Sequence, residues 1–138
     1  VPGNVRGVLV EGGRFIAEMG GDGNIAALRG ALAQQGLAGV EVPRNLFPTI
    51  GRQAGLLDAA GFRVAQASWF RRPTPVDAGS TAADWTRHFR ATAWAQVPEQ
   101  QRAAVGVRVD EPAHAAGLRD CGRWVADYCR LRFVALAR

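Results

Sequence analysis

Apolar positions fall into short runs with two spacings. Arg14-Phe15-Ile16-Ala17-Glu18-Met19 is nearly continuous in apolar residues and predicts a buried strand over 14–19. Ile25, Leu28, Ala31 and Leu32 recur at helical spacing, which predicts a helix from Ile25 to about Gln35, capped by Asn24 and ended by Gly36. A second helix is expected over 49–60, with Thr49 as its N-cap, Ile50, Ala54 and Leu57 on its core side, and Gly61 just past its end. Residues 63–70 alternate and end in Trp69-Phe70, which predicts a strand. The segment Trp124 to Tyr128 and the run Leu131 to Leu136 read as a closing strand, straight or bent, buried on both faces.

The remaining segments are punctuation and helix. Residues 5–10 read as the tail of a helix, and Gly12-Gly13 as a tight turn. Pro43 and Pro48 make 37–48 a loop, and "RRPTPVDAG" makes 71–79 irregular. Residues 80–117 read as two helices, one begun by Ser80 to Asp84 and crowded by Trp85, Phe89 and Trp94, the other begun at Pro98. The order is β-α-α-β-(α-α)-β. Strand–helix–strand implies a parallel pair of strands joined by a right-handed crossover. With 138 residues, 48% of them hydrophobic, the chain suits one globular domain.

Charge and chemistry narrow the function. All 17 basic residues are arginine, and net charge is +5. They are scattered, with Arg71-Arg72 the sole adjacent pair, unlike the clustered basic and aromatic face of a nucleic-acid binder. No lysine is present for Schiff-base chemistry. Cys121 and Cys129 lack a zinc or C-x-x-C spacing and read as reduced, half-buried residues of a cytoplasmic protein. His88 and His114 have no H-x-x-x-H partner, so no metal is expected. Neither Ser68 nor Ser80 sits in G-x-S-x-G. No run is long enough to span a membrane, and no signal-peptide pattern opens the chain.

"GGDGNIA" at 20–26 contains G-x-G-x-x-A after a strand and before a helix. A pyrophosphate loop needs free N–H groups and tolerates no acid, yet Asp22 lies inside it. Glu41, near the distance of a ribose-binding acid, falls in a loop and not at a strand end. The glycines are therefore expected to allow a sharp turn above the sheet. Glu18 ends the first strand at its carboxyl side, where open α/β sheets bind ligands.

"VRGVLVEGGRFIAEMGGDGNI", "LLDAAGFRV", "RRPTPV" and "GRWVADYCRLRFVALAR" resemble the C-terminal half of class I S-adenosylmethionine-dependent methyltransferases, over essentially the whole chain. The likeness is to the trans-aconitate-methyltransferase-like group, in its G-G-R-F strand start, G-G-x-G-N turn and W-x-x-D-Y-x-R-L-R-F-V-A ending. The resemblance implies an α/β fold: residues 1–138 as one partial domain, holding strands 5, 6 and 7 of a Rossmann-like seven-stranded sheet. Strand 7 would lie antiparallel between strands 5 and 6, and 80–117 would be a helical insert capping the substrate site. Glu11 replaces the proline of the usual L-x-P-G-G turn.

The resemblance also implies that the groups holding S-adenosylmethionine lie upstream of Val1, so the full-length enzyme would use the cofactor and this chain alone would bind none. That the sole methionine is Met19 accords with a piece of a longer protein. Expected partners are a small-molecule methyl acceptor and either the missing N-terminal half or another chain, pairing with the exposed edge at 14–19; neither nucleic acid nor membrane is expected. For a carboxylate acceptor, Arg72 and Arg132 are the candidates to hold it in a bidentate grip, with Glu18, Asn24 and His88 near the substrate and Tyr128 and Trp85 walling the pocket. No catalytic residue is assigned. The alternative is a non-catalytic α/β interaction module that pairs through the same strand edge.

Overall fold

In the computed structural model, residues 2–36 and 47–138 are described, so Val1, Glu41, Pro43 and most of the expected 37–48 loop lie outside the described residues. The chain divides into two compact units. The first takes residues 1–24, 46–72 and 129–138; the second takes 25–45 and 73–128.

The first unit is a three-stranded sheet with helices. Its elements are α1 (Pro2–Arg6), β1 (Arg14–Gly20), α3 (Ile50–Ala59), β2 (Phe62–Arg71) and β6 (Cys129–Ala137). The strand order is β1-β6-β2, and β6 runs antiparallel to both neighbours. β1 and β2 are therefore parallel to each other, as expected from strand–helix–strand, with β6 between them. The most apolar strand takes the centre, where the hydrogen bonds of both its edges are met.

The registers set the faces. Phe15 opposes Ala135, Ala17 opposes Phe133, and Phe62 opposes Ala137. Large and small side chains thus alternate across the core, and the Phe15 ring meets Phe133 edge-on at 5.1 Å between centroids. Leu57 from α3 closes this cluster with Phe62, Phe133, Ala135 and Ala137, with Val5 and Leu9 packed alongside. The opposite face carries Arg130, Arg132, Val134 and Leu136, each half-buried or exposed. Burial of β6 on both faces is thus corrected to burial on one, because the packed helical residues all lie on one side. β1, expected buried, is half-buried at most, and Ile16 on its open face is 62% exposed.

Local signals explain the ends. Thr49 caps α3 by accepting from the Arg52 N–H at 3.3 Å, and Gly61 follows the helix at φ +84°. α3 buries Gln53 and Leu57, whereas Ile50 is exposed instead of core-facing. The expected helical tail at 5–10 is shorter: α1 stops at Arg6, and Gly12 turns the chain at φ +75°.

The second unit is mainly helical: α2 (Ala26–Ala33), α4 (Ala82–Phe89), α5 (Ala91–Trp94), a 3₁₀ turn (Glu99–Gln101) and α6 (Arg102–Ala115). Residues 80–117 all lie in it. α2 buries Leu28, Ala31 and Leu32, the apolar face expected of it, and α6 buries Val105, Gly106, Val109 and Ala113. Thr81 and Asp84 form a reciprocal capping box on α4. A small sheet of three short strands, β3 (Thr74–Pro75), β4 (Arg119–Asp120) and β5 (Arg123–Ala126), belongs to this unit in the order β3-β5-β4. It corrects two expectations: 71–79 is not wholly irregular, and 124–136 is not one strand. The chain leaves β5 at Asp127, whose side chain turns to α2, and β6 begins anew in the other unit. Neither cysteine is in a disulfide, and neither is half-buried: Cys121 is exposed and Cys129 buried.

Candidate functional site

In the first unit the open sheet face carries a charge cluster. Glu18 on β1 stands opposite Arg132 on β6. Arg132 donates to Glu18 Oε2 from Nη2 at 2.7 Å and from Nε at 3.1 Å. Arg130, two residues earlier on the same face, donates from Nε to Oε1 at 3.1 Å, and Arg72 donates from Nη1 to Oε1 at 2.9 Å. Hydrogen bonds from Arg132, then Arg130, pull the Glu18 carboxyl down to about 2 from 4.5, so it is ionised throughout the physiological range. Arg132 also stacks its guanidinium over Phe70, 5.3 Å from the ring centroid.

This geometry changes the reading of the arginines. Arg72 and Arg132 do converge, but the carboxylate they grip is the chain's own Glu18. Arg130 was missed; the signal for it was R-L-R in a strand, whose alternation puts both arginines on one face.

The glycine turn is built for packing. A Cβ on Gly21 would stand 2.9 Å from Trp69 Cδ1 and 3.2 Å from Leu131 Cβ. Three of the turn's N–H groups are engaged: Gly21 donates to Cys129 O, Asp22 to Pro48 O and Asn24 to Gly21 O. Asn24 is buried, and its Oδ1 accepts from the Cys129 N–H at 2.9 Å. The expected Asn24 cap on α2 is therefore corrected, and its side chain ties the turn to β6.

In the second unit, Asp127 replaces that cap. Ile25, at φ 51°, is the N-cap and offers no side-chain acceptor, while Asp127 Oδ2 accepts from the Ala27 N–H at 2.7 Å. Burial pushes the Asp127 carboxyl upward, against the lowering effect of the Ala27 and Leu28 N–H groups. Its Oδ1 is buried without a hydrogen-bond partner.

Trp85 Nε1 donates to the Tyr128 hydroxyl at 3.1 Å. The Trp85 and Phe89 ring centroids are 4.6 Å apart, and His88 meets Phe89 edge-on at 4.7 Å. Phe89, absent from the sequence-based candidates, is 54% exposed and packs on Trp85. Asp84, one turn before His88, pairs with Arg87 at 2.6 Å. A separate open cleft of about 320 Å³ is lined by Val107, Asp110, Glu111, His114 and Trp124, none of them a predicted substrate residue. Among the described residues no three His, Cys, Asp or Glu converge to hold a metal ion, and no helix is long and apolar enough to cross a membrane.

A scan against protein-family models finds no match, and neither does a search of curated proteins.

Proposed function

We propose that this chain is the substrate-side portion of an S-adenosylmethionine-dependent methyltransferase acting on a small-molecule acceptor. The observation that carries the reading is the placement of β6, antiparallel between two mutually parallel strands, which is the order the sequence resemblance implies. The described glycine turn does not fit the cofactor, since the N–H groups of Gly21, Asp22 and Asn24 are engaged, so this reading puts the cofactor groups in residues outside this chain. S-adenosylmethionine supplies an electrophilic methyl group when bound; this chain's part is to hold the acceptor, and alignment supplies much of the rate of an in-line transfer. The convergence of Arg72, Arg130 and Arg132 on the carboxylate of Glu18 supports an acidic acceptor, which would share guanidiniums with Glu18.

The test begins with the DNA upstream of the Val1 codon. An in-frame D-x-G-x-G-x-G segment, expressed together with these residues, is expected to bind S-adenosylmethionine at low-micromolar levels in calorimetry, while the 138-residue chain does not. An in-frame stop, a longer chain that fails to bind, or low-micromolar binding by this chain alone overturns the proposal.

A second reading, a non-catalytic interaction module, is favoured by the outer edge of β1, which has no strand partner among the described residues. An upstream stop together with association of the purified chain would select it.

A further inference from the structure

We infer that Glu18 is a resident competitor at a carboxylate-binding site: an acidic ligand takes Arg72 and Arg132 from it, and Glu18 keeps Arg130. The inference deepens the acidic-acceptor reading and rests on it for the class of ligand. The spacing of the two arginines carries it. Arg72 reaches Glu18 Oε1 at 2.9 Å, and Arg132 reaches Oε2 at 2.7 Å. One guanidinium stands at each oxygen. The pair therefore already brackets a single carboxylate group, and a carboxylate from another molecule meets the same donors.

Exposure and geometry separate the arginines that exchange from the one that stays. The side chains of Arg72 and Arg132 are each 58% exposed, against 28% for Arg130. Arg132 directs both Nε and Nη2 at one oxygen of Glu18. A carboxylate aligned with that fork takes one N–H per oxygen, the geometry a guanidinium favours. Glu18, tethered to β1, does not adopt it. Arg132 is also held independently of Glu18, because its guanidinium lies over the Phe70 ring. Taking Glu18 away thus leaves Arg132 a support of its own. Glu18 is ionised at neutral pH, so its charge opposes a second anion at the same guanidiniums. The sign of the effect follows. Loss of the Glu18 charge tightens ligand binding, whereas a Glu18 that only ordered the arginines would weaken binding when lost.

Propionate, which carries the carboxylate and methylenes of a Glu side chain, is the probe, and propionamide is the neutral control. The arginine Nε–H resonances of the 138-residue chain are followed by NMR at constant ionic strength and mildly acidic pH, where propionate and Glu18 are both ionised. In the wild-type chain, propionate is expected to shift Arg72 and Arg132 more than Arg130, with a Kd of roughly tens of millimolar. Glu18→Gln and Glu18→Ala are each expected to bind propionate at least about tenfold more tightly. Adding Arg132→Lys, which keeps the charge and loses the fork, should remove most of that gain. Circular dichroism establishes that each variant is folded; if neither Glu18 variant folds, the wild-type titration decides. The inference is overturned by the lack of a saturable wild-type shift, by equal shifts with propionamide, or by folded Glu18 variants that bind no more tightly than wild type. Cofactor calorimetry on the longer chain is a separate readout. Failure here with cofactor binding there removes the acidic ligand and leaves methyl transfer. Tighter binding by the Glu18 variants together with an upstream stop leaves this site and removes methyl transfer.

Discussion

Replacing Leu57 with alanine tests the core of the first unit, and Leu56 supplies the control. Leu57 is fully buried against Phe62, Phe133, Ala135 and Ala137, while Leu56 is 42% exposed. Both substitutions exchange leucine for alanine within α3, so their helix-propensity changes cancel in the comparison. At Leu57 three carbon groups leave an apolar site, worth about 0.8 kcal/mol each. A cavity term adds to this, because Ala135 and Ala137 are too short to fill the space and β6 is bonded on both edges. The total falls in the upper half of the ~2–5 kcal/mol range for buried leucine truncation. With a urea slope of about 2 kcal/mol/M, a loss of ~4 kcal/mol lowers the midpoint by about 2 M. Leu56→Ala is expected to cost less than about 1 kcal/mol. Urea titration followed by circular dichroism measures both. Equal midpoints for the two variants would refute the packing described for α3.

Three further outcomes follow from the polar contacts. Glu18 has its folded pKa lowered to about 2, so its contribution is fully present above about 4.5 and is lost as pH falls toward 2. Glu18→Gln should therefore flatten the stability-versus-pH curve in that window, and an unchanged acid slope would contradict the cluster. Asp127→Ala removes the acceptor for the Ala27 N–H and should cost about 0.5–2 kcal/mol, whereas Asp127→Asn keeps an acceptor without the buried charge and should cost less; thermal melts rank them. Thr86→Val removes the buried hydroxyl that accepts from Trp94 Nε1 at 3.1 Å, and should cost about 1–3 kcal/mol by denaturant titration, with a shift in tryptophan emission.

The parts of the fold legible in the sequence are those set by local chemistry. Thr49 and Gly61 bracket α3 because an N-cap oxygen and a positive-φ glycine act within a few residues. Asn24 misled for the same reason: it is a good local cap, but its oxygen is taken by Cys129, 105 positions away, and α2 is capped instead by Asp127. The burial of β6 was overestimated because Val134 and Leu136 are apolar yet lie on the face opposite the packed helical residues. The arginine candidates were legible by type, but their engagement with Glu18 depends on strand register, which no single segment encodes.

The central position of β6 has a consequence for how the chain is made. β1 ends at Gly20 and its partner begins at Cys129, 109 residues later. At about 5–20 residues per second, a ribosome needs on the order of 5–20 seconds to supply that partner. Until then the strand that joins β1 to β2 among the described residues is absent, so this three-stranded ladder cannot close while the helical segments are being made. The ladder closes only through contacts distant in sequence, the kind of pairing that slows folding.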